Sequence, residues 1–286
     1  MSVRFGPAGC PESFYAAGHK STIEMPEWLN ELGLDAFEVQ CGRGVKFSDE
    51  SARRIGENAV HFGVQLSVHA PYYINISTTD ADKRENGINY VMQTLHVARI
   101  MRAKRIVVHM GSFAGSTREA AVEVSKDFMR ECLEHSGDIL ICPETMGKIN
   151  QMGTVDEVLE LCSIDERLMP TLDFGHINSR QQGIIDYEEI LDRYENRLGR
   201  ERLVHFHAHF SKIEYTKGGE RRHLTFEDTV YGPEFEPLAH AIAKRRLEPV
   251  IICESDGRQT EDALTMQKIY GDVFRDYGDG CCVGRV

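Results

Sequence analysis

Short apolar segments rich in β-branched residues alternate eight times with longer amphipathic segments along this chain of 286 residues. Strand-length segments that alternate with helix-length segments are typical of βα units, whose strands run parallel in one sheet. Eight such units predict an α/β fold, a single (β/α)8 barrel of the TIM type. The predicted strands span residues 3–5, 36–39, 64–69, 105–109, 139–143, 169–172, 203–209 and 249–253.

The segments between the strands show apolar residues at helical spacing, as in residues 51–62, 87–101, 119–135 and 154–162. The sequence Thr154-Val-Asp-Glu157 favours capping of the last of these helices. No run rich in proline, glycine or serine divides the chain, so we expect residues 1–275 to form one barrel domain. Residues 276–286 are glycine-rich and lack helical periodicity, which we interpret as a C-terminal tail.

Composition excludes several classes of protein. No segment approaches the roughly 18 consecutive apolar residues of a membrane span, and the first residues lack a signal pattern, so we expect a cytoplasmic protein without a membrane partner. Cys132, Cys142, Cys162 and Cys253 lie within apolar runs, which favours buried, reduced thiols over disulfides. A formal charge of −12 argues against a protein that coats nucleic acid, although a local basic loop can still bind phosphate.

Residues with metal-binding side chains stand at the carboxyl ends of six successive predicted strands. They are His69, His109, Glu144, Asp173, His209 and Glu254. The active site of a barrel is built at that end of its strands, from side chains distant in sequence. One such residue is usually an ordinary hydrogen-bonding group, but six at successive strand ends favour a metal centre.

The seventh predicted strand carries His205, His207 and His209 on one face, because side chains alternate along a strand. A polar interior face is expected near the mouth of a barrel, since the deeper layers are packed with apolar residues. His209 is therefore the favoured ligand and His207 the next candidate. We expect His205 to be a hydrogen-bonded interior residue.

Three histidines and three carboxylates suit Zn²⁺, with Mn²⁺ or Fe as alternatives. One ion does not need six ligands, and two ions about 3.5 to 4 Å apart are suited to phosphoester hydrolysis. Glu144 lies midway in the strand order and is the candidate bridging and catalytic residue. His176, three residues after Asp173, and His223, in the connection after strand seven, are candidate ligands of a third ion.

The connection after strand seven, residues 209–233, is longer than a typical βα loop. It carries Lys212, Lys217, Arg221 and Arg222 against Glu214 and Glu220. Taken alone, such a loop is more often a solvated surface. Its position beside the candidate ligands favours a second role, binding of substrate phosphates.

These motifs resemble those of endonuclease IV, the metal-dependent apurinic/apyrimidinic endonuclease family within the xylose isomerase-like TIM barrels. The matching segments extend from about residue 60 to 255. They are His-Ala-Pro-Tyr at 69–72, His-Met-Gly-Ser at 109–112, Glu-Thr-Met-Gly at 144–147, Leu-Asp-Phe-Gly-His at 172–176, His-Phe-Ser-Lys at 209–212 and Cys-Glu at 253–254. Each is weak alone, but their joint order is specific.

The resemblance implies a metal-dependent enzyme of base excision repair that cleaves DNA 5′ to abasic sites, by a hydroxide held between two of three zinc ions. It assigns His69 and His109 to one ion, Glu144 to the bridge, Asp173, His209 and Glu254 to the second ion, and His176 and His223 to the third. It also implies that Tyr72 contacts the lesion. Lys212, Arg221 and Arg222 are the other candidate substrate-binding residues. We expect a monomer whose partner is DNA with an abasic site.

The chain departs from the family pattern at the third ion. The family has Asp-x-His there, whereas this chain has Glu220-Arg-Arg-His223, with Arg221 in the place of the aspartate. Glu220 is a candidate substitute from one residue earlier. Residues 40–45 also differ from the DNA-inserting loop of the family.

Two alternative functions stay open. Related barrels hold one divalent ion and isomerise or epimerise sugars, and a metal-stabilised barrel could recognise damaged DNA without cleaving it. One bound ion per chain favours a sugar enzyme, whereas two or three favour phosphoester hydrolysis.

Overall fold

Eight parallel strands form the main sheet of the computed structural model, which describes residues 3–113 and 115–279. The strands are β1 Arg4–Pro7, β2 Ala36–Gln40, β3 Gln65–His69, β4 Arg105–His109, β5 Leu140–Glu144, β6 Thr171–Asp173, β7 His207–Phe210 and β10 Val250–Cys253. Two further strands, β8 Ile213–Thr216 and β9 Gly219–His223, form a separate sheet. Their order in the sheet is β1-β10-β7-β6-β5-β4-β3-β2, and a parallel bridge between Ala8 and Glu38 joins the two edges. The predicted (β/α)8 barrel is confirmed.

A ring of helices covers the outside of the barrel. They are α1 Glu12–Ala16, α2 Met25–Leu32, α3 Asp49–Phe62, α4 Ala81–Ile100, α5 Arg118–Leu133, α6 Val155–Cys162, α7 Phe174–Arg180, α8 Tyr187–Leu198, α9 Arg200–Val204, α10 Glu236–Arg245 and α11 Gln259–Asp279, with a 3₁₀ turn at Thr22–Glu24 before α2. Thr154 and Glu157 form the predicted capping box at the start of α6. Each side chain thereby satisfies a backbone N–H that the first turn of a helix leaves unpaired.

Strand seven is shorter than predicted, because residues 200–204 form the helical turn α9 and place Leu203 in the core. The prediction that His205 is an interior residue is wrong. Its side chain follows α9, is 47% exposed, and lies 3.7 Å from the carboxylate of Glu248. Of the three histidines, only His207 and His209 lie on β7, and both are fully buried there.

Helices α4 and α11 extend past boundaries that the sequence predicts. Helix α4 begins at Ala81, six residues before the predicted start at 87, and the side chain of Asp80 accepts a hydrogen bond from the backbone N–H of Lys83. Residues 81–86 are mostly polar, so apolar periodicity does not reveal them. Helix α11 continues to Asp279 and includes the first four residues of the predicted tail. Residues 280–286 lie outside the described part of the chain.

The connection after β7 folds as an antiparallel hairpin of β8 Ile213–Thr216 and β9 Gly219–His223. Backbone hydrogen bonds join it to the loop after β5: the N–H of Ile149 donates to Gly218 and the N–H of Glu220 to Gly147. The hairpin is therefore held at one fixed position over the carboxyl end of the barrel.

The four cysteines predicted to be buried thiols are buried and free, and burial raises the pKa of Cys132 to about 12. Within residues 3–113 and 115–279, none of the helices combines the length and apolar character needed to cross a lipid bilayer.

Substitution of Gly6 tests the junction between β1 and β2. A Cβ atom at Gly6 would lie 1.7 Å from the carbonyl oxygen of Ala36, so the two strands would have to separate. We expect Gly6→Ala to lower the free energy of unfolding by about 3 kcal/mol or more, measured by urea denaturation. Gly271→Ala in α11 is the control: a Cβ there meets no atom within 4 Å, so stability should hold or rise slightly. Equal stability of the two variants would contradict this account of the junction.

Candidate metal centre

The barrel brings all six predicted strand-end ligands to one face. His69, His109, Glu144 and Asp173 are the last residues of β3, β4, β5 and β6, His209 lies one residue before the end of β7, and Glu254 follows β10. Neighbouring strands pair in register at this level, with His109 opposite Glu144 and Asp173 opposite His209. Parallel pairing therefore converts six positions spread over 186 residues of sequence into one cluster.

One group of candidate ligands consists of His69, His109 and Glu144, whose ligand atoms lie within 4.8 Å of one another. The Nε2 atoms of His69 and His109 are 3.4 and 3.1 Å from Glu144 Oε2. Each ring is oriented by a contact between Nδ1 and a backbone carbonyl, that of Ala70 at 2.7 Å and that of Tyr72 at 3.2 Å. Both Nε2 atoms are thereby directed at the same carboxylate oxygen, an arrangement typical of histidine metal ligands.

A second group consists of Glu144, Asp173, His209 and Glu254, again within 4.8 Å. His209 Nδ1 lies 3.1 Å from Glu144 Oε1 and 3.5 Å from Glu254 Oε1. Asp173 Oδ1 accepts a hydrogen bond of 2.7 Å from the backbone N–H of His176, at the start of α7. Its other oxygen, Oδ2, is buried, lies 3.1 Å from His176 Nδ1 and forms no hydrogen bond of regular geometry with the described residues. A buried carboxylate oxygen without a regular hydrogen bond fits a bound cation.

Glu144 belongs to both groups. Its Oε2 faces His69 and His109, while its Oε1 faces His209 and lies 3.4 Å from His176 Nδ1. The side chain is fully buried at the centre of the site. One carboxylate with its two oxygens directed at two ligand groups has the arrangement of a bridging ligand, as predicted for Glu144.

A third group consists of His176, Glu220 and His223. The Nε2 atom of His176 lies 3.4 Å from Glu220 Oε2, and His223 Nδ1 lies 2.9 Å from the hydroxyl of Ser211. The structure thus brings Glu220, the candidate substitute for the aspartate of the family pattern, into one group with His176 and His223. Arg221, which occupies that place in the sequence, is instead paired with Glu214.

The carboxylates and histidines of the site stabilise each other's charged forms. Burial would raise the pKa of Glu144, but His109 and His209 keep it well below its usual range. Burial likewise opposes protonation of His69, yet the Glu144 contact raises its pKa to about 9. Burial raises the pKa of Asp173 above its ordinary value. Buried carboxylates that depend on nearby positive charge are the donor set expected of a divalent cation site.

The sequence analysis missed one residue of the site. Glu38, in the middle of β2, is fully buried and lies 3.0 Å from the Nε2 atoms of both His207 and His209. The available signal was a single carboxylate inside an apolar strand, at the two-residue spacing that places Ala36, Glu38 and Gln40 on one face. His207, the second ligand candidate on strand seven, lies below the strand-end groups and bonds to Glu38.

The predicted substrate-binding residues lie in different environments. Tyr72 is 57% exposed beside the site, and its carbonyl contacts His109. Lys212 is buried, with its ammonium 2.7 Å from Glu234 and donating to the carbonyl of Asp228. Arg221 and Arg222 both pair with Glu214 on the hairpin and are about two-thirds exposed. A phosphate would have to compete with these ion pairs for all three basic side chains.

Comparison with known proteins agrees with this architecture. A family model described as xylose isomerase-like TIM barrel matches residues 26–270. The chain belongs to the xylose isomerase-like TIM barrel family. It is 31% identical to the uncharacterized protein MJ0133 of Methanocaldococcus jannaschii over 277 residues, 94% of this chain and 97% of that protein.

The resemblance to endonuclease IV is also confirmed. The chain is 30% identical to the probable endonuclease 4 of Listeria monocytogenes over 211 residues, which are 69% of this chain and 71% of that protein. Among solved structures, a D-tagatose 3-epimerase-like protein superimposes with a TM-score of 0.74 at 18% identity, covering 97% of this chain and 99% of that one. Endonuclease IV from Thermus thermophilus superimposes with a TM-score of 0.66 at 18% identity, covering 98% and 100%. At these identities the structures establish the shared fold.

Glu220→Ala tests the third group. We expect the variant to retain one fewer Zn²⁺ per chain than the parent after dialysis, because His176 and His223 alone provide too few ligands for tight binding. The measurement is elemental analysis of the loaded proteins. Glu31→Ala, an exposed carboxylate on α2, is the control and should keep the parental metal content. Equal metal content in all three proteins would exclude Glu220 as a ligand.

Proposed function

We propose that this protein is an endonuclease IV-like phosphodiesterase that cleaves DNA 5′ to abasic sites in base excision repair and uses Zn²⁺. The observation that carries the proposal is the position of Glu144 between two ligand groups, with the group around Glu220 beside them. A single divalent ion would use four of these ligands and leave His69 and His109 without a role. One chain supplies every ligand, so we propose that the monomer is sufficient for activity.

Bound divalent ions would polarise a phosphoryl oxygen and lower the pKa of water at the site. The residues of the chain provide the positions for this chemistry. Glu144 fixes the spacing of the two groups through its two oxygens, and backbone carbonyls orient His69 and His109. Tyr72, whose backbone carbonyl contacts His109, has an exposed side chain that can stack on a base next to the lesion.

A cleft beside the third group offers a place for the DNA backbone. Its volume is about 640 Å³. The cleft is lined by Phe113, Lys148, Ile149, Asn150, Thr216, Lys217, Gly218 and Glu220. Two arginines stabilise its β5–α6 wall: Arg180 donates to the carbonyls of residues 146, 148, 149 and 151, and Arg118 to that of 151.

Lys148 and Lys217 are the cleft residues suited to phosphate. Both are exposed, one on each wall, and neither forms an ion pair with another described residue. Their ammonium groups are therefore available, whereas the ammonium group of Lys212 and the guanidinium groups of Arg221 and Arg222 are already paired. A polyanion needs such local positive charge to approach a chain of net charge −12.

Sugar epimerisation is the second candidate function. Glu144, Asp173, His209 and Glu254 suffice for one ion, and the fold superimposes on a D-tagatose 3-epimerase-like protein with a TM-score of 0.74. On that alternative, the chain would bind one ion and a ketose would raise its melting temperature. The additional ligand groups favour the phosphodiesterase.

The direct test is strand cleavage of a duplex that contains one abasic site. We expect the metal-loaded protein to cleave 5′ to the lesion and to lose this activity with chelator. Glu144→Gln should reduce cleavage by about a thousandfold or more, as expected when a central electrostatic group is removed. An undamaged duplex is the substrate control. Absence of cleavage by the loaded protein, with a known enzyme active in parallel, would refute the proposal, and stabilisation by a ketose would then support the epimerase.

The cleft provides a separate prediction. We expect Lys148→Ala and Lys217→Ala each to raise the KM for the abasic duplex, with little change in kcat, because they remove phosphate contacts remote from the bond that breaks. Each should also make the dependence of binding on salt less steep, by about one unit in the slope of log K against log salt. Lys104→Ala, on an exposed lysine at the opposite end of β4, should leave both quantities unchanged. Unchanged KM in both cleft variants would place the DNA elsewhere.

A further inference from the structure

We propose that Glu38 is a positioning residue that orients His209 for metal binding. The inference rests on the proposed role of His209 as a ligand. It concerns a carboxylate directly beneath the strand-end ligands, to which neither the sequence pattern nor the family resemblance assigns a function. Glu38 occupies the middle of β2 and is fully buried there.

Both oxygens of Glu38 are used. Oε2 accepts a hydrogen bond of 2.8 Å from the hydroxyl of Ser67 and lies 3.0 Å from His207 Nε2. Oε1 accepts a hydrogen bond of 3.3 Å from the side chain of Gln40 and lies 3.0 Å from His209 Nε2. Four polar neighbours around one carboxylate leave it little freedom to rotate.

The two ring nitrogens of His209 face different parts of the structure. Nδ1 lies 3.1 Å from Glu144 and 3.5 Å from Glu254, so it faces the ligand group. A neutral imidazole that binds a cation through Nδ1 must carry its proton on Nε2. Nε2 is buried and forms no hydrogen bond of regular geometry with the described residues, but Glu38 Oε1 lies 3.0 Å from it and is the acceptor within reach. A carboxylate behind the histidine selects this tautomer and fixes the ring plane.

His207 contributes by fixing Glu38 from the other side. His207 is fully buried on β7, two residues before His209, and contacts the same carboxylate. Nε2 is the nitrogen that contacts Glu38, whereas Nδ1 has no partner among the described residues. The donor from His207 therefore binds Oε2 and leaves Oε1 for His209.

A double-mutant cycle on the full-length protein distinguishes positioning from direct ligation. The quantity is the dissociation constant of Co²⁺, measured by competition with a chelator. We expect Glu38→Leu to weaken one ion by about 10 to 100-fold, the range for residues that orient a ligand, and to change the visible absorption of bound Co²⁺. In the His209→Ala background, Glu38→Leu should have no further effect, because the residue on which it acts is gone.

Ser125→Ala is the matched control, since it removes a buried hydroxyl of α5 that donates to the carbonyl of Ala121, away from Glu38 and His209, and Co²⁺ affinity should be unchanged. Equal losses from Glu38→Leu with and without His209 would overturn the proposal and indicate direct ligation or a general structural effect. Unchanged affinity in folded Glu38→Leu would also overturn it. If Glu38→Leu does not fold, the same cycle with Glu38→Gln should give a smaller loss, again confined to the protein that retains His209. No DNA is used, so failure of the cleavage assay leaves this result independent.

Discussion

The structure depends on the compensation of buried negative charge at the carboxyl end of one barrel. Glu38, Glu144 and Asp173 are fully buried, and no hydrophobic packing can offset the loss of their hydration. Histidines from β3, β4 and β7 and from α7 surround these carboxylates. The buried Oδ2 atom of Asp173 still forms no hydrogen bond of regular geometry with the described residues. Such an arrangement is suited to cation binding, because an apolar cluster would pack the same volume at lower energetic cost. The closed barrel is what brings the compensating groups within reach.

Much of the fold and of this site could be predicted from sequence, because both follow from short-range periodicity. Parallel strands buried on both faces appear as apolar runs, and a strand ends where those runs end. The sequence alone therefore predicts that His69, His109 and Glu144 lie at one level, at the ends of their strands. Asp173 and His176 could be placed together because residues three apart lie on the same face of a helix. In the structure, the side chain of Asp173 caps α7.

The remaining features depend on contacts between distant segments. The alternating pattern predicts a strand through His205. The chain instead forms the helical turn α9 up to Val204, because this conformation buries Leu203 in the core. The only local signal at Glu38 is a carboxylate within an apolar strand, and its importance comes from contacts 169 and 171 residues away on β7. Glu220 joins the third group because hydrogen bonds between the hairpin and the loop after β5 set its position. Residue spacing alone could not show that Glu220, and not Arg221, lies next to His176.

The number of ligand groups is the physical basis for choosing between the two chemistries of this family. Shifting a proton on a neutral sugar requires one cation to stabilise a single developing oxyanion, and Glu144, Asp173, His209 and Glu254 provide for it. A phosphodiester is already negative and places further charge on its leaving oxygen, so more positive charge must be concentrated around it. His69 and His109 extend the centre on one side of Glu144, and His176, Glu220 and His223 extend it on the other. These two extensions have no function in the one-ion chemistry, and the proposed phosphodiester substrate would account for both.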